Sequence, residues 1–106
     1  MLLTVTRFVA DTGSEFTRAA DVALEALAAQ PGYLGADLAR STDDPTVWCL
    51  VVRYADPGSM RRAQGAYPVK VALLSLQQWT TTGGGVFEVL AGDTTGTSDL
   101  RPDAVR

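Results

Sequence analysis

The stretch from Thr46 to Tyr54, TVWCLVVRY, constrains the fold of this chain more than any other. Its β-branched and aromatic side chains suit a pleated surface and predict a strand. Successive strand residues point to opposite faces. Val47, Cys49 and Val51 therefore face one way, and Trp48, Leu50 and Val52 the other. Both sets are apolar, so a sheet built on this strand has to be covered on both sides. The chain has 106 residues, room for one domain. A domain of that size buries only about 60–70% of its unfolded surface. Its helices can cover one face, and no third layer is left for the other. A second copy is the simplest cover, so a homodimer is expected.

The flanking sequence supplies the helical layer. Leu2 to Val9 predicts a first strand, with Thr4, Thr6 and Phe8 on one side and Leu3, Val5, Arg7 and Val9 on the other. Thr12 and Glu15 have capping-box spacing at a helix start. From Ser14 to Gln30, Phe16, Ala20, Ala23, Leu24 and Leu27 form one apolar stripe, and Pro31-Gly32 stops the helix. Tyr33 to Arg40 reads as a second strand. It joins the central strand through the turn Ser41-Thr42-Asp43-Asp44-Pro45 to make a hairpin.

Asp56-Pro57-Gly58-Ser59 opens a second helical region. It runs from Met60 to Gln64, breaks around Gly65 and Pro68, and resumes from Val69 to Leu76. Gly83-Gly84-Gly85 reads as a flexible break, and Val86 to Leu90 as a short last strand. The order strand, helix, strand, strand, helix, strand is the split βαβ arrangement of an α+β, ferredoxin-like fold with a four-stranded antiparallel sheet. Residues 1–92 form this domain. Residues 93–106 turn to Thr, Gly, Ser, Asp and Pro and read as a flexible tail.

Composition excludes several classes of function. With no histidine, the chain has no histidine base and no histidine ligand for a metal or haem. Cys49 is the one cysteine, so neither an intramolecular disulfide nor a cysteine-based zinc site can form. No dinucleotide glycine pattern follows a strand. Gly83-Gly84-Gly85 lacks the Lys-Ser/Thr and the helix of a phosphate loop. No metal, flavin or haem is therefore expected. The net charge of −3 and the scattered basic residues argue against nucleic acid. No apolar run is long enough to cross a bilayer, and the N-terminus MLLTVTRFVAD has no signal-peptide pattern. A cytoplasmic protein without membrane contact is expected.

Pro31-Gly32-Tyr33-Leu34-Gly35, the run Ala39-Arg40-Ser41-Thr42-Asp43-Asp44-Pro45, and the strand Val47 to Tyr54 leading into a helix resemble the antibiotic biosynthesis monooxygenase family of dimeric α/β barrels. The resemblance covers roughly residues 1 to 90. It implies a dimer and a pocket between sheet and helices. Many members oxidise polycyclic aromatic substrates with O2 and without metal or flavin, and others degrade haem. Carried over by position, the family's strand-end aromatic falls on Tyr54 and its pocket asparagine on Leu50. The tyrosine of the following helix falls near Met60. The asparagine and histidine of haem-degrading relatives fall on Thr6 and near Leu73, which cannot do that chemistry.

Alternation and resemblance together predict a pocket lined by Thr4, Thr6, Phe8, Trp48, Leu50 and Met60, with Tyr67 and Trp79 as further aromatic contacts. Tyr54 is the predicted catalytic group, donating its hydroxyl to an oxyanion while its ring stacks on a planar ligand. The alternative for each aromatic is a place in the core. Arg7, Arg53 and Asp37 are expected on the dimer-facing side, with an ion pair among them. Glu88 is either a buried base or a solvent-facing strand residue. The expected function is a cofactor-independent monooxygenase acting on a small aromatic, polyketide-type intermediate. A non-oxidative cyclase and a non-catalytic small-molecule-binding dimer are the alternatives.

Overall fold

A computed structural model of the chain describes residues 1–11 and 14–92. The strands are β1 (Leu2–Val9), β2 (Tyr33–Arg40), β3 (Val47–Tyr54) and β4 (Thr80–Glu88). The helices are α1 (Ser14–Ala28), α2 (Pro57–Gly65) and α3 (Tyr67–Leu76), and a 3-10 turn at Gln77–Trp79 leads into β4. All pairings are antiparallel, in the order β2-β3-β1-β4. This is the expected α+β, ferredoxin-like architecture. The expected Thr12 cap and the expected tail lie outside the described residues.

β1 and β3 are paired over their full lengths, from Leu2 opposite Tyr54 to Val9 opposite Val47. That register puts Leu2, Thr4, Phe8, Trp48, Leu50, Val52 and Tyr54 on one face, all of them buried. The helices supply the other half of this core. Phe16, Ala20, Ala23 and Leu27 of α1 are buried, as are Val69, Ala72 and Leu76 of α3. On the opposite face, Val47, Cys49 and Val51 are only half-buried in the single chain.

Local signals explain the connections. Gly32 adopts φ +85°, and a Cβ there would strike the Ser59 side chain of α2. Glycine is thus needed both for the left-handed turn and for the close approach. Asp56 caps α2 by accepting a 2.7 Å hydrogen bond from the Ser59 backbone N–H. The second helical region does break: Ala66 is extended (φ −67°, ψ 136°), and α3 restarts with Pro68 in its first turn.

The glycine triplet corrects the expectation. Gly83-Gly84-Gly85 is not a break between elements. It lies inside β4, which begins at Thr80 rather than Val86. Val5 pairs with Gly85 and Arg7 with Thr81, so Thr82, Gly83 and Gly84 stand opposite Thr6 alone. Such a bulge needs unusual backbone, and Gly83 supplies φ +105°. At Gly84 a Cβ would collide with the Val5 carbonyl oxygen. The glycines let the strand bend while it stays paired, and periodicity alone cannot distinguish this from a loop.

Phe16 is 1% exposed, and its ring touches three other aromatic rings. Phe16→Ala leaves a cavity at the junction of α1 and the sheet. It is expected to destabilise the fold by about 3–5 kcal/mol, measured as a drop in the urea midpoint. A change below about 1 kcal/mol would show that this ring does not organise the core.

Candidate functional site

The predicted pocket residues divide into two groups along the helix-facing side of the sheet. Trp48 and Tyr54 stand six positions apart on β3, about 20 Å at the rise of an extended chain. At one end stand Tyr54, Thr4 and the α2 residues. At the other stand Phe8, Trp48 and Trp79. Leu50 and Thr6, register partners, lie between them.

Tyr54 is 1% exposed, the largest fully buried side chain among the described residues. β3 fixes its backbone, with Leu2 and Tyr33 as cross-strand partners on the two sides. The side chains of Gln64 and Thr4 are its polar neighbours. Burial pushes the phenol above its ordinary ionisation range, and these neighbours partly offset the shift. At neutral pH the group is therefore a neutral O–H, suited to donate a hydrogen bond and not to accept a proton as a base. Thr4 is buried, whereas Gln64 and Met60 of α2 are half-buried.

Four aromatic rings meet at the opposite end. Phe8 and Phe16 have centroids 5.2 Å apart, Phe16 and Trp48 5.1 Å, and Phe16 and Trp79 5.4 Å in an edge-on arrangement. The Trp48 Nε1–H donates to the Ala10 carbonyl oxygen at 3.3 Å, which locks the indole. Asp11, Glu15, Phe16 and Trp79 line a small surface cavity of about 150 Å³ here. Trp48 and Phe8 thus belong to the packed core, and Trp79 joins them through Phe16.

Tyr67 is not brought to either group. It is 79% exposed. α3 buries Val69, Ala72 and Leu76, and a residue two positions before Val69 falls on the opposite side of the helix. Glu88 is exposed, the solvent-facing outcome of the two expected. On the open face the expected ion pair forms between Arg53 and Asp37, with Nη1 and Oδ2 3.0 Å apart.

Gln64 is the polar partner that sequence reasoning passed over. It follows Met60 by four residues, so both occupy one face of α2. That spacing was the available signal. Among the described residues, no group of three or more acidic or cysteine side chains is placed to hold a metal ion. No helix among them is long and apolar enough to cross a membrane.

The sequence profile of antibiotic biosynthesis monooxygenases matches residues 2–72, from β1 into α3. The chain belongs to this family. Solved structures share the family fold. SnoaB, a cofactor-independent oxygenase from Streptomyces nogalater, superposes with a TM-score of 0.76 at 22% identity, over 86% of this chain and 94% of that one. An antibiotic biosynthesis monooxygenase family protein of Nitrosomonas europaea gives 0.71 at 20% identity, over 86% and 100% of the two chains. Rv0793 from Mycobacterium tuberculosis gives 0.70 at 18%, over 90% and 98%. No curated protein sequence matches the chain. At these identities the likeness establishes the fold.

The raised ionisation of Tyr54 makes stability depend on pH. The folded state holds the neutral phenol more firmly than the unfolded chain does. That advantage is complete below about pH 10, the ordinary tyrosine value, and is lost as pH rises past it. The urea midpoint is expected to fall above pH 10, and Tyr54→Phe should flatten this limb. In an ultraviolet titration, Tyr54→Phe should remove the phenol that ionises last. Loss of an early-ionising phenol would contradict the assignment.

Proposed function

We propose that this protein is a cofactor-independent monooxygenase acting on a polycyclic aromatic, polyketide-type intermediate of secondary metabolism. The reading is carried by one observation within a family of monooxygenases: a neutral, buried phenol with Thr4 and Gln64 as polar neighbours. Such a substrate needs little from the protein. A methylene flanked by aromatic rings and conjugated to a carbonyl loses a proton to solvent and becomes an enolate. The enolate passes electrons to O2, and a carbon–oxygen bond forms. Loss of the second proton and cleavage of the O–O bond leave a new carbonyl. One oxygen atom stays on carbon and the other departs as water, so no outside reductant is required.

Tyr54 would donate its hydrogen bond to the enolate oxygen, where negative charge develops. In a low-dielectric site that bond is stronger than in water. Because Tyr54 is 1% exposed, substrate reaches it only when α2, which carries Gln64 and Met60, moves off the sheet. The surface of Leu50 and Thr6 beside Tyr54 then receives the planar body of the ligand. The direct test incubates the protein aerobically with anthrone-like substrates while oxygen uptake and incorporation of labelled O2 are followed. Tyr54→Phe should lower turnover on the order of 10²-fold with little effect on KM. Unchanged turnover would remove Tyr54 from the chemistry. Ring closure without oxygen uptake would mark a cyclase, and binding without turnover a non-catalytic carrier.

We further propose that the protein works as a homodimer joined through the open face. The half-buried Val47, Cys49 and Val51 support this, because a single chain leaves them without a covering layer. Light scattering at micromolar concentration should give twice the chain mass. Val51→Asp, which places a charge in the centre of that face, should shift the protein to monomer. A wild-type monomer would overturn the proposal.

A further inference from the structure

α2 rests on the sheet more lightly than the other two helices do. α1 buries Phe16, Ala20, Ala23 and Leu27, and α3 buries Val69, Ala72 and Leu76. The nine residues of α2 bury two small side chains, Ser59 and Ala63. Burial stabilises in proportion to the apolar area removed from water, and a serine and an alanine remove little. Met60 and Gln64 are half-buried, and Arg61, Arg62 and Gly65 are exposed. A helix this short is not stable in water by its own hydrogen bonds. Few buried apolar contacts are the mark of a segment that opens locally. Yet α2 carries Gln64, a neighbour of the fully buried Tyr54.

The sequence of α2 weakens it further. Gly65 does not have a positive φ, and a Cβ there would meet nothing within 4 Å. Neither a turn nor a close approach requires glycine at this position, and glycine lowers helix stability relative to alanine.

Both ends of α2 are joints. Before it, the Ala55 backbone N–H donates to the Gly32 carbonyl oxygen at 2.8 Å and fixes the end of β3 to the α1–β2 connection. Asp56, itself exposed, then holds the first turn of α2 through the Ser59 N–H. After it, Ala66 is extended. A continuous helix would need an N–H at position 68 to reach the Gln64 carbonyl oxygen, and Pro68 has none. The ladder of α3 starts afresh where the Lys70 N–H donates to the Ala66 carbonyl oxygen at 2.9 Å. α2 can therefore swing away without unwinding α3 or unpairing β3.

We propose that α2 is a lid that opens by itself in the free protein, hinged at Asp56 and Ala66 and latched by the Asp56 cap, and that this opening admits a planar aromatic ligand to the Tyr54 hydroxyl. The purpose of the lid rests on the Tyr54 reading, whereas its motion does not.

Amide hydrogen exchange of the full-length protein without substrate tests the motion. The Met60 to Gln64 amides should exchange at least about tenfold faster than those of Trp48 to Val52. Urea at about 1 M should speed the β3 amides and leave α2 unchanged, because a local opening exposes little surface. Asp56→Ala should speed α2 exchange about fivefold, the effect of a lost cap. Gly65→Ala should slow it about threefold. Asp44→Ala removes a like bond, from the Thr46 N–H at 3.0 Å in the hairpin, and should leave α2 exchange as it is. Nitration by tetranitromethane, read by mass spectrometry, tests the access. The exposed Tyr67 should react at once in every variant. Tyr54 should react faster in Asp56→Ala and slower in Gly65→Ala, in proportion to α2 exchange. α2 amides that exchange in step with β3, in urea or in Asp44→Ala, would overturn the lid. Tyr54 nitration that follows the β3 amides would overturn the route. A protein inactive on every anthrone-like substrate would remove the oxygenase reading and leave these rates as expected.

Discussion

The pairing of β1 with β3 is the constraint on which the rest of the molecule depends. These two strands form the centre of the sheet and match residue for residue over eight positions. Their side-chain period is two, so a slip of one residue would turn every core side chain to the other face. Phe8 and Trp48 would then leave Phe16, and Tyr54 would leave Gln64. The core of α1 and α3 stripes has no other surface to cover. Both the buried hydroxyl and the exposed guanidinium groups therefore inherit their positions from one register.

That register also divides the molecule chemically. One face of the sheet holds neutral hydroxyls and aromatic rings under a helical roof. The other holds Arg7, Arg53 and Asp37 among valines. The two environments act on polar groups in opposite ways. Under the helices a phenol keeps its proton because burial disfavours the anion. On the open face, where Asp37 and Arg53 remain partly solvated, an ion pair of modest strength is sufficient. Separating the two lets one thin sheet carry neutral and charged groups without mutual interference.

The sequence made most of the fold legible, because most of it rests on local pattern. The strand-to-strand alternation, the α1 stripe, the Pro31-Gly32 stop and the Asp56 start all rely on neighbours within a few residues. What escaped depends on distant contacts. β4 was truncated because Gly83-Gly84-Gly85 has no strand propensity of its own. Its place in the sheet comes from β1, 80 residues away along the chain at the pairing of Val5 with Gly85. Tyr67 looked like a pocket aromatic, but the orientation of α3 is set by Val69, Ala72 and Leu76. The aromatic residues were visible individually. That Phe16 gathers Phe8, Trp48 and Trp79 at one end, away from Tyr54, follows from how α1 crosses the sheet. Gln64 was passed over because its spacing from Met60 gains meaning only once the tyrosine opposite it is placed.

The glycine bulge in β4 has a consequence for solubility. β4 is nine residues long, exposed at every position, and forms the free edge of the sheet. A flat edge of that length, with Val86 and Phe87 half in solvent, would offer unpaired N–H and C=O groups as a template for another strand. Three residues crowded opposite Thr6 interrupt that template near its middle and bend it. Gly83 and Gly84 thus serve the single molecule and its neighbours at once. A side chain at Gly84 would push β4 away from the Val5 carbonyl, and a straightened edge would surface as aggregates in a concentrated solution.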